Sequence, residues 1–186
     1  MITEVSTPSE RLELVRGFVN TFEAETGVDE LRTREGLTGW LASRGLVPGA
    51  VPASRADVAR ARELREALRD LLVANAGGPS PAAAWETIDR QARRSRVGLR
   101  FDERGGALRP EAAGVDGALG ELVAAVAAAM ADGSWARLKA CLADDCRWAF
   151  VDRSRNGSRR WCDMRVCGNR EKARAFRARH GIPRAG

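Results

Sequence analysis

The stretch CLADDCRWAFVDRSRNGSRRWCDMRVC, residues 141–167, holds all four cysteines of the 186-residue chain. They fall as Cys141 and Cys146, then Cys162 and Cys167: two pairs of equal internal spacing with fifteen residues between them. Close pairs around a strand-sized insert suit a tetrahedral thiolate site, because each pair turns two sulfurs inward and the insert brings the second loop beside the first. Within the insert Arg147–Asp152 alternates as a strand, Asn156-Gly157 signals a turn, and Arg159-Arg160-Trp161 returns. The expectation is a zinc-clasped hairpin followed by a helix. Four protein thiolates leave no open coordination position, so the metal expected is one structural zinc ion. Disulfides, or a redox switch that releases the metal on oxidation, would use the same residues. His180, the only histidine, lies 13 residues beyond Cys167 and reads as a solvated tail residue.

Outward from the cysteines, the charge distribution divides the chain. The whole carries 31 basic and 25 acidic side chains, a net of +6. Residues 1–133 hold 17 basic and 20 acidic groups, net −3; residues 134–186 hold 14 and 5, net +9. Only Lys139 and Lys172 are lysines, an arginine bias that codon usage alone can produce. Its concentration around the cysteines is the physical argument for an acidic polymer as partner. Arg153, Arg155, Arg159 and Arg160 surround the expected hairpin tip and suit phosphate contacts. On the final helix Arg170, Arg174 and Arg177 share a face by spacing and suit the edges of bases in a major groove; Ala173, Phe176 and Val166 are expected to pack toward the metal.

Residues 1–133 read as mainly helical. Ser9 offers an N-cap for a helix to about residue 25, with Leu12, Val15, Phe18, Val19 and Phe22 on its apolar side. Further helices are expected from Thr33 to near Gly45, over 55–75, from Ser80-Pro81 to about Arg94, and from Val115 to Asp132. The arginine- and glutamate-rich face of 55–75 reads as solvated, as do Glu23, Glu25 and Asp29. Val97, Leu99 and Phe101 alternate before a turn and Ala107-Leu108-Arg109, predicting one small hairpin. After Gly133-Ser134 a short helix is expected from Trp135 to about Cys141. The fold class is therefore mainly α: a helical domain with one β-hairpin (residues 1–133) and a small zinc-bound hairpin/helix module (residues 134–186).

The cysteine region is also similar to a known family. Cys162-Asp163-Met164-Arg165-Val166-Cys167-Gly168-Asn169-Arg170, with Asp152-Arg153-Ser154-Arg155-Asn156 and Arg160-Trp161 before it, resembles the CGNR-type zinc finger. The resemblance runs from about Trp135 to Arg179. Phe18-Val19-Asn20-Thr21 and the run Asp29-Leu31, Leu37, Trp40-Leu41 resemble the opening of the ABATE domain, with Gly17 where many relatives carry aspartate. The resemblance implies a stress-induced bacterial transcription regulator with double-stranded DNA as its partner.

No glycine-rich phosphate loop, Ser/His/Asp set or His-Glu motif is present, so no enzyme is expected. The absence of a signal-peptide pattern and of a long uninterrupted apolar run predicts a cytoplasmic, nucleoid-associated protein that makes no membrane contact. A helical domain ahead of such a finger is expected to sense a small molecule or to form a homodimer, with Asn20 and Thr21, polar among apolar neighbours, as candidate ligand contacts. An alternative makes the finger a module for an acidic protein partner in transcription, or a thiol-based redox sensor.

Overall fold

The first three helices begin where a side-chain cap satisfies a free N–H group. In the computed structural model, which describes residues 7–49, 51–103 and 105–180, α1 spans Pro8–Val19 and is capped by Thr7, not Ser9. The Thr7 hydroxyl accepts from the Glu10 N–H while the Glu10 carboxylate accepts from the Thr7 N–H, and Pro8 fills the first turn. The helix stops at Asn20, short of the expected residue 25, because Phe22 leaves the helical path to bridge Asp29. Thr33 caps α2 (Arg34–Ser43), and a Ser54/Asp57 capping box opens α3 (Arg55–Asn75). For α4 (Ala82–Arg94) the cap position is Pro81; the Ser80 hydroxyl accepts instead from the Trp85 indole.

Strands β1 (Gly98–Asp102) and β2 (Gly105–Arg109) form the expected antiparallel hairpin, with Phe101 opposite Gly106. Its apolar side chains do not join the core: Phe101 is 78% exposed and Leu99 53%. The long helix α5 (Gly114–Ala131) buries Leu119, Leu122, Val123 and Val126 against α1 and α4. It is long and apolar enough to cross a membrane, a run that Asp116 and Glu121 hide in the sequence, but most of it is buried and it serves as the core helix. Gly120 lets α5 approach its neighbours: a Cβ there would lie 2.6 Å from the Ser95 Cβ and 2.7 Å from the Pro110 Cβ.

Gly133, at φ +78°, ends this segment in a left-handed conformation. The expected helix from Trp135 to Cys141 is instead one 3-10 turn, Ser134–Arg137, followed by strand β3 (Leu138–Ala140). The reason is tertiary. The Asn75 amide of α3 donates to the Trp135 and Leu138 carbonyls at 2.9 Å each, and β3 pairs antiparallel with β4 (Ala149–Val151). Leu138, Ala140 and Ala149 belong to the same apolar core as α1, α3 and α5. One π-helical turn, Met164–Gly168, then leads into α6 (Asn169–His180).

The close approach at Gly120 sets a test. Gly120→Ala gains about 1 kcal/mol of helix propensity but forces α5 off Ser95 and Pro110, at about 1–3 kcal/mol for overpacking. A net loss is expected in urea unfolding, with the midpoint lowered and the slope unchanged.

Candidate metal centre

The four cysteines, 26 residues apart at the extremes, are brought to one point. All four Sγ atoms lie within 4.8 Å of one another, with Cys146–Cys162 at 3.6 Å and Cys162–Cys167 at 3.7 Å. A zinc–sulfur bond of about 2.3 Å makes the edge of a tetrahedron about 3.8 Å, so these separations fit one zinc ion and are far too long for disulfides. All four are free thiols, Cys141 and Cys167 being buried. The donor set is all sulfur and closed, as in a structural site.

Local structure explains each placement. Cys141 follows β3 directly and donates its N–H to the Trp148 carbonyl (2.9 Å), so the first loop turns back through the Cys146 N–H to Ala143 carbonyl bond. The second loop is attached by the Leu142 N–H, which donates to the Arg160 carbonyl at 3.0 Å. Asp163 caps the π-helical turn by accepting from the Arg165 and Val166 N–H groups, which sets Cys167 against the other three. Hydrogen bonds from Cys146 and Cys162 push the Cys141 thiol down, and the same contacts push Cys146 and Cys162 up. One anion is favoured and further ones are resisted, a repulsion that a divalent cation removes.

The hairpin differs from the one expected. The partner of β4 is β3, ahead of the first cysteine, so the Cys141–Cys146 loop is itself the hairpin tip. Residues 153–160 form an irregular loop built on a buried ion pair. Lys139 Nζ contacts Asp152 Oδ2 at 2.9 Å, with both side chains under 5% exposed, and also donates to the Gly157 and Arg159 carbonyls. Burial alone would raise the Asp152 pKa, but bonds from Ser154, Lys139 and the Arg159 N–H outweigh it and hold the carboxyl well below the usual range.

Arg153, Arg155, Arg159 and Arg160 are exposed on this loop. Arg159 also stacks over Phe150 and Arg160 over Trp161. On α6 the orientation is opposite to expectation. Arg170 faces inward, 3.5 Å from Cys167 Sγ, 3.4 Å from Asp145 and 3.6 Å from Glu25. Arg174 pairs with Asp145 (2.7 Å) and Glu171 (2.6 Å), and Arg177 is half-buried. Ala173, Phe176 and Val166, expected against the metal, are exposed. Charge attraction to Asp145 and the thiolates decides the rotation of this helix, because α6 buries no apolar side chain to oppose it. His180 takes no part in the metal cluster; its ring stacks on Phe176.

Asn20 holds the strand beside that centre, whereas Thr21 bonds within its own segment. The Asn20 amide donates to the Ala149 carbonyl (2.9 Å) and accepts from the Ala149 N–H (2.8 Å), pairing with β4 as another strand would. Thr21 donates to the Phe18 carbonyl at 2.7 Å.

The sequence reading missed Arg65 and Arg69, assigned to a solvated face of α3 but buried. Arg65 grips Asp29 with both terminal nitrogens, at 2.6 and 3.1 Å, so Asp29 too is interior. Burial raises the Asp29 pKa, and the Arg65 contact overrides it to leave the carboxyl below its ordinary value. Arg69 donates to the carbonyls of Val19 (2.7 Å), Phe22 (3.1 Å) and Arg147 (2.8 Å), besides its pair with Glu66. The available signal was position: Arg65 and Arg69 directly follow Leu64 and Leu68 at helical spacing, widening the apolar stripe on one side.

Two family models match the sequence. The CGNR zinc finger matches residues 137–180. The ABATE model, described as "Putative stress-induced transcription regulator", matches residues 12–133, about two thirds of the chain. The chain belongs to the ABATE family. No curated protein matches it. In this ABATE protein the matched finger contains all four cysteines, and the site can bind one zinc ion.

Three outcomes follow from the geometry. Metal analysis of the reduced protein should give about one zinc per chain, and Cys162→Ser should abolish it. Because the cysteine cluster is a separate small core from the rest, chelation should raise hydrogen exchange in the cysteine loops and α6, residues 141–147 and 160–180, while α1, α3, α5 and β4 stay protected. Lys139→Met should cost about 3–5 kcal/mol by leaving Asp152 buried and unpaired. The depressed Asp152 pKa contributes stability that is complete above its unfolded value of about 3.9 and lost as pH falls below it. The gap between wild type and Lys139→Met in denaturant titrations should therefore narrow at acid pH.

Proposed function

We propose that this protein is a zinc-dependent DNA-binding transcription regulator, with residues 134–186 meeting double-stranded DNA and residues 1–133 sensing a small molecule or forming a homodimer. It acts in the cytoplasm, on the nucleoid, without catalysing a reaction. The observation that carries the reading is the loop over the zinc site. Arg153, Arg155, Arg159 and Arg160 are all exposed there, and among the described residues none of them has an acidic partner. Four unneutralised guanidinium groups on a surface fixed by a metal and a buried ion pair form a rigid phosphate-binding patch.

The inward rotation of α6 revises the groove-facing residues. Arg170 and Arg174 are already neutralised by carboxylates and sulfur, so they support the finger. The outward line Lys172, Phe176 and Arg179, at i, i+4 and i+7, is exposed and can face the bases. The second reading, a contact with an acidic protein partner, is favoured by exposed Met164, Val166 and Phe176 beside these charges. The redox reading draws on sulfurs 3.6 and 3.7 Å apart, which need little movement to join once metal leaves.

Selection from random duplexes by the zinc-loaded protein separates these readings. A reproducible consensus supports DNA recognition; its absence, with an acidic protein partner captured by crosslinking, supports the protein contact. The Arg159→Ala/Arg160→Ala double variant should keep its zinc and lower the salt dependence of duplex binding by about two counterions. Arg170→Ala should weaken zinc retention before it weakens DNA contact.

A further inference from the structure

The hairpin β1–β2 stands off α5 and leaves a groove of about 670 Å³ between them, within the range of about 300–1,000 Å³ that small-molecule sites occupy. One wall is Leu99 and Leu108 of the hairpin; the floor is the alanine surface of α5, including Ala124 and Ala128. Leu99 and Leu108 remain exposed above that floor although the hairpin contacts α5.

Glu121 projects from α5 into the groove, half-buried. Burial pushes its carboxyl up, opposed by the charge of Arg109. Among the described residues the other charged groups lining the groove are Arg11, paired with Asp132 at 2.5 Å, and Asp102, which makes three acids and two bases. An anion seated beside Glu121 would face a carboxylate whose charge burial already disfavours. A cation would restore the solvation that Glu121 loses on folding.

We propose that this groove binds apolar molecules carrying one cationic nitrogen, the apolar body lying between the hairpin and the alanine floor of α5 and the cation against Glu121. The assignment rests on the sensing role proposed above and gives it a location and a ligand class. Its test uses no DNA, so it fails or succeeds separately from the regulator reading.

The zinc-loaded full chain is titrated with three fluorescent probes: rhodamine 6G (cationic), N-phenyl-1-naphthylamine (neutral) and 1-anilinonaphthalene-8-sulfonate (anionic). Saturable binding of the cation, at least ten-fold tighter than the anion, is expected. Glu121→Gln should weaken rhodamine 6G about ten-fold and leave the neutral probe unchanged, whereas Ala128→Phe, which fills the groove, should abolish both. The raised pKa means that the Glu121 carboxylate costs stability above that pKa, a cost relieved as pH falls through it. Glu121→Gln should therefore raise the Tm at neutral pH, which separates lost binding from unfolding. Equal affinity for cation and anion, or unchanged rhodamine 6G affinity in Glu121→Gln, overturns the proposal. So does a concentration-dependent dimer that excludes the probes and disappears in Phe101→Ser, since the groove would then be covered by a second copy.

Discussion

The guanidinium of Arg69 lies in the interior where the C-terminal end of α1, the loop after it and the residue following Cys146 meet. Its N–H groups reach three backbone carbonyls, Val19, Phe22 and Arg147, none of which belongs to its own helix. Val19 closes α1, where helical carbonyls lack partners and carry partial negative charge. Desolvation lowers the pKa of Arg69, and the neighbouring Arg65 and Arg147 lower it further, against the opposing pull of Glu66. The charge is tolerated because each polar atom it faces would otherwise be buried without a donor. With Asn20 on Ala149 and Asn75 on β3, it makes the helical part the platform on which the metal loops are folded.

The balance of charge and burial also explains α6. A helix without buried apolar residues has no greasy stripe to anchor one face against the core, so electrostatics decides its rotation. Asp145, between the first two cysteines, draws in both Arg170 and Arg174, and Arg170 also meets the Cys167 sulfur. The Gly-Asn-Arg that follows the last cysteine thus contributes to the metal's electrical surroundings through its arginine.

What the sequence made legible was periodic or closely spaced. Helices α2 and α3 follow from their apolar stripes, the β1–β2 hairpin from alternation, and the metal cluster from cysteine spacing. What it hid was tertiary. Only their place beside Leu64 and Leu68 sets Arg65 and Arg69, buried, apart from Arg62 of the same helix, half-exposed in its pairing with Asp29. Strand β3 read as helix because three residues carry no period, and its state is set by β4 and Asn75. Glu25, expected to be bare surface, meets Arg170, a partner 145 positions away. The alternation of Leu99 and Phe101 correctly indicated a strand, but alternation cannot tell a buried face from an exposed one.

The β3–β4 hairpin has a consequence for how the finger can be used. Zinc fingers are commonly transplantable units, stable because the metal substitutes for a core. Here the hairpin's apolar face is contributed to a core shared with α1, α3 and α5. Excised from the rest, residues 137–180 would carry an orphaned surface of Leu138, Ala140 and Ala149 and would lose the donors of Asn20, Arg69 and Asn75. The finger is consequently not interchangeable with others of its spacing. Replacing the finger in this chain would mean rebuilding the face that its hairpin presents to α1, α3 and α5.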